Sequence, residues 1–386
     1  MTARYDLAVV GAGIVGLAHA LAASRRGLRV AVIDRDSRAN GASIRNFGFI
    51  TVTGQSAQTW ARAFVTRRIW EELAPQAGIP IVHRNECVIV HSPEALAVLE
   101  EFVATHMGAG CELLAAREAV KRVPMARPKS VSGALWSPHE LRVEPRTAIP
   151  ALAAYLEKRW NVTFQRKAAV RAVSATVVET TNETFHAERV VVAPGPDLVT
   201  LFPEVHAQHG VRLCKLQMLR LAPQPPSWRL PASIMSDFAL VRYKGFSAQP
   251  AAAALRKHLE KAEPWIFEYG IHLIVVQSED GSLVIGDSHD YGATPDPFYS
   301  HEIEEAILQL AHGVLDIPNR EVMERWIGIY PQSEQCEWFV VAPDTQTRIV
   351  QVTTGNGMST AFGLAEEVIA ELCGDATFAG SSKPEL

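Results

Sequence analysis

Three glycines and one acid near the start of the chain carry the most explicit chemistry. Gly11, Gly13 and Gly16 form a G-x-G-x-x-G run between the apolar stretch Leu7-Ala8-Val9-Val10 and the helix-forming stretch Leu17-Ala18-His19-Ala20-Leu21-Ala22-Ala23. Gly11 permits a tight turn, Gly13 has no side chain to hold a ligand off the backbone, and Gly16 lets the helix approach the strand. Ile14 and Val15 then present amides at a helix N-terminus, where a pyrophosphate is favoured. A second apolar stretch, Arg29-Val30-Ala31-Val32-Ile33, ends in Asp34, 34 − 16 = 18 residues after the last glycine. That carboxylate suits a ribose diol and disfavours a 2′-phosphorylated dinucleotide, although the adjacent Arg35 would tolerate one. Strand, loop, helix, strand and terminal acid in this order predict a dinucleotide-binding unit.

The composition limits what surrounds this unit. At 386 residues the chain is long for one small module. Hydrophobic residues make up 48% and charged residues 20%, the balance of a globular chain with a large core. Lys+Arg number 37 against 42 Asp+Glu, a net −5, and no dense basic tract suits a nucleic-acid partner. Cys87, Cys111, Cys214, Cys336 and Cys373 are scattered, form no C-x-x-C pair, and are expected to be buried free thiols with no metal. No apolar run approaches the roughly 20 residues of a membrane span. With no signal-like N-terminus, the expected location is cytoplasmic.

The stretch after Asp34 is Asn40-Gly41-Ala42-Ser43-Ile44-Arg45-Asn46-Phe47-Gly48-Phe49-Ile50, polar and glycine-bearing where a nicotinamide-binding domain often continues with a third strand. Gly41, Ala42, Ser43, Asn46 and Gly48 match a G-A-S-x-x-N-x-G pattern. Here the chain resembles the glycine oxidase, sarcosine oxidase and D-amino-acid oxidase superfamily of FAD-dependent amine oxidoreductases. The resemblance implies FAD as cofactor, with Ser43, Arg45, Asn46, Phe47 and Gly48 running past its pyrophosphate and ribityl chain. It implies that Val170 meets the adenine. Arg189-Val190-Val191-Val192-Ala193-Pro194-Gly195 is similar to the family's strand end, with Ala193 and Gly195 closing over the cofactor and Pro194 replacing the usual Thr or Ser. Gly355, Asn356, Gly357, Met358 and Ser359 correspond to the start of the last helix, whose N-terminus in the family faces the flavin N1 and C2 carbonyl.

The implied fold is α/β: a Rossmann-like FAD-binding domain with an inserted α+β substrate domain built on an antiparallel sheet. The cofactor motifs fall in blocks 1–80, 142–210 and 326–386, leaving 81–141 and 211–325 for the substrate domain. Residues 211–221 read as a strand. Residues 271–277 and 283–286 read as a hairpin around Asp280-Gly281. Gln224-Pro225-Pro226-Ser227 and 248–254 read as surface connections or a lid.

Family members acting on amino acids hold the substrate carboxylate with an arginine in a W-x-G-x-R-P strand. The matching segment is Trp326-Ile327-Gly328-Ile329-Tyr330-Pro331, so Tyr330 stands in the arginine's place, with Gly328 beside the cofactor. A second family arginine falls at Met358. Alternation puts Trp326, Gly328 and Tyr330 on one strand face, where Tyr330 either offers its hydroxyl to a substrate or packs at a domain seam. Other anion anchors are Arg45, Lys215 and His289, with Arg242, Lys244 and His272 behind them. Arg45 could instead touch cofactor phosphate, Lys215 could be an edge residue reaching solvent, and His289 could be structural.

Together the 41–48 stretch, the Trp326–Pro331 segment and the Gly355–Met358 turn resemble a branch associated with phosphonate breakdown. That resemblance implies oxidative deamination of 2-aminoethylphosphonate or its N-methyl derivative to phosphonoacetaldehyde and amine, with oxygen reduced to peroxide. The alternative is a carboxylated amine: glycine, sarcosine or a D-amino acid. A third reading, an FAD-bearing tRNA-modifying or scaffold protein, is opposed by the charge balance. The expected partners are an aminophosphonate substrate and oxygen, with no nucleic acid and no membrane, and room is left for a homodimer.

Overall fold

The computed structural model describes residues 4–128 and 131–375. Residues 1–3, 129–130 and 376–386, which include the outer ends of the blocks beginning at 1 and ending at 386, lie outside the described residues. Strand Arg4–Val10 is flanked by Val30–Ile33 and Thr184–Val192, both parallel to it. Its last four residues are buried, which a strand covered on both faces requires and which the unbroken apolar run supplies. These strands belong to an eight-stranded sheet that also contains Thr163–Gln165, the hairpin Val170–Ser174 and Val177–Thr180, and the pair Trp338–Val341 and Thr347–Val352.

Helix Ile14–Arg25 packs on this sheet beside the last helix, Gly357–Leu372. The close approach depends on glycine. A Cβ on Gly16 would stand 1.9 Å from the Gly11 carbonyl oxygen, and one on Gly11, at φ +102°, would stand 2.3 Å from the Ala193 oxygen. The last helix is buttressed by helix Trp60–Gln76: Trp70 Nε1 donates to the Met358 carbonyl at 3.1 Å, and Gly363 seats against Arg62.

A nine-stranded sheet forms the other half. Arg212–Leu221 lies next to one edge, paired with Asp290–Gly292, Leu283–Gly286 and, along its whole length, Val322–Gln332. The block boundary expected at 326 falls inside that last strand, in the middle of its pairing. The sheet departs from the expected antiparallel pattern at one place, because Ser233–Met235 runs parallel to Glu86–Val90. Those strands are joined by a crossover of more than a hundred residues, so no hairpin turn imposes antiparallel order. A three-stranded sheet of Phe49–Ile50, Leu141–Val143 and Ile81–His83 stands between the two large ones in sequence terms, linking blocks assigned to both.

The two expected surface connections are exposed for most of their length, at Pro225, Pro226 and Ser227 and at Ala248, Pro250, Ala253 and Ala254, but each is anchored. Gln224 is buried and bonded to Asn319 in both directions, and 252–254 begin helix Ala252–Ala262, which buries Leu255 and Leu259. The apolar spacing of that helix outweighs its alanine-rich, loop-like start. The cysteines are free thiols, but Cys111 and Cys373 are only half-buried. No helix among the described residues is long and apolar enough to cross a membrane.

Asp34 ties the glycine loop to the second strand. Its Oδ2 accepts from Ala12 N at 2.6 Å and its Oδ1 from Asp36 N at 2.8 Å. Asp34→Ala orphans both amides and should lower unfolding stability by about 1.5–3 kcal/mol in urea titration of the apoprotein. A change under about 0.5 kcal/mol, within the range of an ordinary surface substitution, would contradict this role.

Candidate active site

The glycine loop opens on a cleft lined by Gly13, Ser43, Ala193, Gly195, Gln351 and Gly357, with Ile14, Val15 and Gly16 at its helical end. Ser43 Oγ accepts from Ile14 N at 2.9 Å, and a Cβ on Gly13 would come within 3.1 Å of that hydroxyl. The loop is therefore open because position 13 has no side chain. Asp34 closes one end, and the backbone of 167–168 bonds to Asp34 and Asp36, bringing the buried Val170 alongside. Arg35 turns away and pairs with Asp197 at 2.9 Å. Beside Ile14, helix Gly357–Leu372 begins at Asn356 with no side-chain cap and no acid in its first turn; a Cβ on Gly357 would stand 3.3 Å from the Ile14 side chain. Its positive end stays free for an acceptor carrying negative charge. Asn46 braces the turn, donating to Ala42 O and accepting from Gly48 N. Ser359 Oγ accepts from Thr51 N.

This cleft shares Ala42, Asn46, Tyr330, Gly355 and Met358 with a cavity of about 370 Å³ between the two sheets. A cleft on which two helix starts without acidic first turns converge fits FAD: Gly11–Gly16, Ser43 and Asp34 would hold the adenylate half, and Asn46, Phe47, Gly48, Gly355 and Met358 the flavin half.

The far wall of the cavity comes from strand register. Tyr330 pairs with Cys214, and Cys214 pairs with Tyr291, so three adjacent strands present these side chains in one row. Arg242, just beyond the short helix Asp237–Leu240, spans the row: one terminal nitrogen donates to Tyr291 OH at 3.2 Å and the other to Tyr330 OH at 3.4 Å. Among the described residues Arg242 forms no ion pair with a carboxylate. Burial holds the Tyr330 phenol well above its usual range and pushes the Cys214 thiol up to about 12, so neither ionises at neutral pH.

Beside this row lie His272, Asp287 and His289. Ile274 pairs with Gly286, yet His272 and Asp287 exchange both backbone hydrogen bonds, so Leu273 is one residue extra in its strand. That bulge turns His272 and Asp287 to the same side. Burial pushes the Asp287 carboxyl up to about 7 and holds both imidazoles well below their usual range, with Arg242 adding to the effect on the histidines. The ligand atoms of the three lie within 4.8 Å of one another and could hold a cation, but the Arg242 charge nearby opposes one.

Of the sequence-derived candidates, Tyr330 and His289 line this cavity, as do Arg45, Phe47 and Gly328. Arg45 is spent on the Asn40 side chain and the Ile327 carbonyl. Lys215 is a correction. Strand alternation sends Leu216 into the cavity and Lys215 to the opposite face, where its ammonium sits 3.0 Å from both oxygens of Asp296. Lys244 is exposed and lies near Glu337 at the cavity's rim. Asp287 and Tyr291 carried no motif of their own; the signal for them was the Gly286–Tyr291 segment following a hairpin, and the signal for Arg242 was only its charge.

The family described as FAD dependent oxidoreductase, DAO, matches residues 6–372. Glycine oxidase of Geobacillus kaustophilus (strain HTA426) is 24% identical over 350 residues, spanning 86% of this chain and 83% of that protein. The crystal structure of glycine oxidase from Geobacillus kaustophilus has a TM-score of 0.77 at 21% identity, covering 98% of this chain and 97% of that one. L-proline dehydrogenase from P. horikoshii has a TM-score of 0.77 at 17% identity, covering 100% and 96%. L-alpha-glycerophosphate oxidase from Mycoplasma pneumoniae, a structure with FAD bound, has a TM-score of 0.74 at 16% identity, covering 100% and 97%. The structural likenesses establish the fold, and the match from the first strand to the end of the last helix establishes the family: the chain belongs to the DAO family of FAD-dependent oxidoreductases.

Proposed function

We propose that the protein is an amine oxidase whose substrate is a small amine carrying a phosphonate, 2-aminoethylphosphonate or its N-methyl derivative. The observation that carries this reading is Arg242, a guanidinium on the cavity wall bonded only to two phenol oxygens. Both phenol oxygens accept from Arg242; the Tyr291 O–H is left to donate outward, and the Tyr330 hydroxyl also lies in hydrogen-bonding reach of the Cys214 thiol, from which it can turn to a bound anion. A cation and two hydroxyls reaching in from different directions suit the three oxygens of a tetrahedral anion. The family's two carboxylate-clamping arginines are Tyr330 and Met358 here, so the planar, two-point clamp of an amino-acid oxidase is not reproduced.

FAD, when bound, supplies the acceptor for hydride from the carbon beside the amine. The protein's part is to hold the substrate's anionic end at Arg242, Tyr291 and Tyr330 and to keep water out with Leu216, Ile274 and Phe49. The uncapped start of helix Gly357–Leu372 favours charge that develops on the acceptor side. The resulting imine hydrolyses to phosphonoacetaldehyde and ammonia or methylamine, with oxygen as final oxidant giving peroxide. A second reading, oxidation of glycine, sarcosine or a D-amino acid, draws support from the likeness to glycine oxidase, since Arg242 would also attract a carboxylate.

Mixing the anaerobic enzyme with each amine separates these readings. The flavin should bleach rapidly with 2-aminoethylphosphonate and slowly with glycine, sarcosine or D-alanine; the reverse order would transfer the assignment to the carboxylated amines. Arg242→Met should raise KM roughly tenfold to a hundredfold, the value of a charge-assisted hydrogen bond of about 1.5–3 kcal/mol, with flavin content unchanged. Tyr330→Phe should lower turnover without releasing flavin, and loss of flavin in Tyr330→Phe would show that this residue serves the cofactor instead.

A further inference from the structure

We propose that His272, Asp287 and His289 form the proton acceptor of this cavity, taking the proton that an ammonium substrate must lose before its carbon can yield hydride. The inference rests on the amine-oxidase reading. An alkylamine resembles a lysine side chain in basicity, with a pKa around 10, so it reaches the site as an ammonium at neutral pH. An ammonium has no lone pair to push out hydride, so a base held beside the bound amine speeds its deprotonation.

The geometry of the cluster provides one. His289 Nδ1 lies 2.8 Å from the Gly270 carbonyl oxygen, which can only accept, so Nδ1 carries the hydrogen and Nε2 presents its lone pair. That lone pair faces Asp287 Oδ2 at 3.7 Å. An imidazole lone pair and a carboxylate oxygen are both acceptors and repel until a proton sits between them. His272 Nδ1 is 3.1 Å from Asp287 Oδ1, yet the two are out of line for a hydrogen bond, and both remain buried without a partner. Gly270, at φ +58°, keeps its carbonyl in place because a Cβ there would stand 2.6 Å from the His289 oxygen.

The charged and titratable neighbours agree with a proton slot. Arg242, from the segment after the short helix, is the cation that keeps the imidazoles neutral. Tyr243 lies edge-on to His272, Tyr291 stacks near His289, and Tyr330 meets His289 edge-on from the long strand. Cys214 lies between the two phenols in the row, and Asp290 is exposed. None of these competes for the proton at neutral pH, because burial raises the Tyr243, Tyr291, Tyr330 and Cys214 values.

In the step itself an N–H bond of the ammonium breaks and leaves its electron pair on nitrogen. The proton forms an O–H bond at Asp287 Oδ2, on the side that His289 Nε2 faces at 3.7 Å. No electrons leave the amine, so no oxidant is consumed.

The test uses the flavin-loaded enzyme with 2-amino-2-methylpropylphosphonate and, in parallel, 2-aminoisobutyrate, neither of which has hydrogen on the amine-bearing carbon. Infrared difference spectra are taken above the Asp287 titration, at pH 8. Binding should produce the C=O band of a protonated carboxyl, and Asp287→Asn should abolish it. With an oxidisable amine, the anaerobic flavin-reduction rate of wild type should fall as pH drops through about 7. Asp287→Asn should lose that limb and slow reduction by roughly a hundredfold or more. Binding without a carboxyl band, or unchanged reduction in Asp287→Asn, would overturn the proposal. Which analogue binds reports on the anion, whereas where the proton goes reports on the cluster, so the two readings fail separately.

A third arm needs no substrate. Asp287 keeps its proton in the fold up to about 7 but ionises near 3.8 when unfolded, so the stability of wild type should fall as pH rises between those values. Asp287→Asn should flatten that slope, and an equal slope in both proteins would count against a proton held at Asp287.

Discussion

Placing the Arg242 guanidinium in a cavity costs solvation that two phenol oxygens, at 3.2 and 3.4 Å, return only in part. No carboxylate among the described residues forms an ion pair with Arg242, and burial raises the Asp287 carboxyl to about 7, so its charge answers the guanidinium only above that pH. The wall suits an anion, as proposed, and much of the surrounding structure is consistent with that. Tyr330 and Tyr291 sit on the two strands that flank Arg212–Leu221, each opposite Cys214, and that register lets one guanidinium reach both phenols. The histidines beside them must stay neutral, and the Arg242 charge helps to keep them so.

The opposite side of the cavity obeys a complementary constraint. The glycine loop and the last helix bring two N-termini, at Ile14 and Gly357, side by side onto one cleft. Both are left without an acidic first turn. Backbone amides and helix dipoles would do the cofactor binding there, so few side chains are needed, and Gly13 matters for what it lacks. The active cavity is the place where this amide-lined cleft meets the charged wall of the second sheet.

That division explains what could be read from the chain alone. Gly11, Gly13, Gly16 and Asp34 act locally, within one strand–helix–strand unit, so spacing revealed them. The 41–48 stretch and the Gly355–Ser359 turn needed a family resemblance, because their meaning comes from a cofactor contributed by distant segments. The substrate wall was only half legible. Tyr330 and His289, candidates from the chain alone, line the cavity, whereas Lys215 does not: the Leu213, Leu219 and Leu221 side of its strand faces away from the cavity, and only the neighbouring strands decide which side that is. His272 and Asp287 meet through a one-residue bulge at Leu273, which a regular hairpin reading from the Asp280-Gly281 turn does not contain. Arg242 follows a four-residue helix with no periodic signature.

The most direct test of the account is a crystal structure of the flavin-reduced enzyme holding unreacted 2-aminoethylphosphonate. The account predicts the phosphonate oxygens within hydrogen-bonding distance of Arg242 and of the Tyr291 and Tyr330 hydroxyls, with the amine turned toward Asp287 and His289. A structure with Arg242 neutralised by a protein carboxylate and the phosphonate bound elsewhere would contradict it.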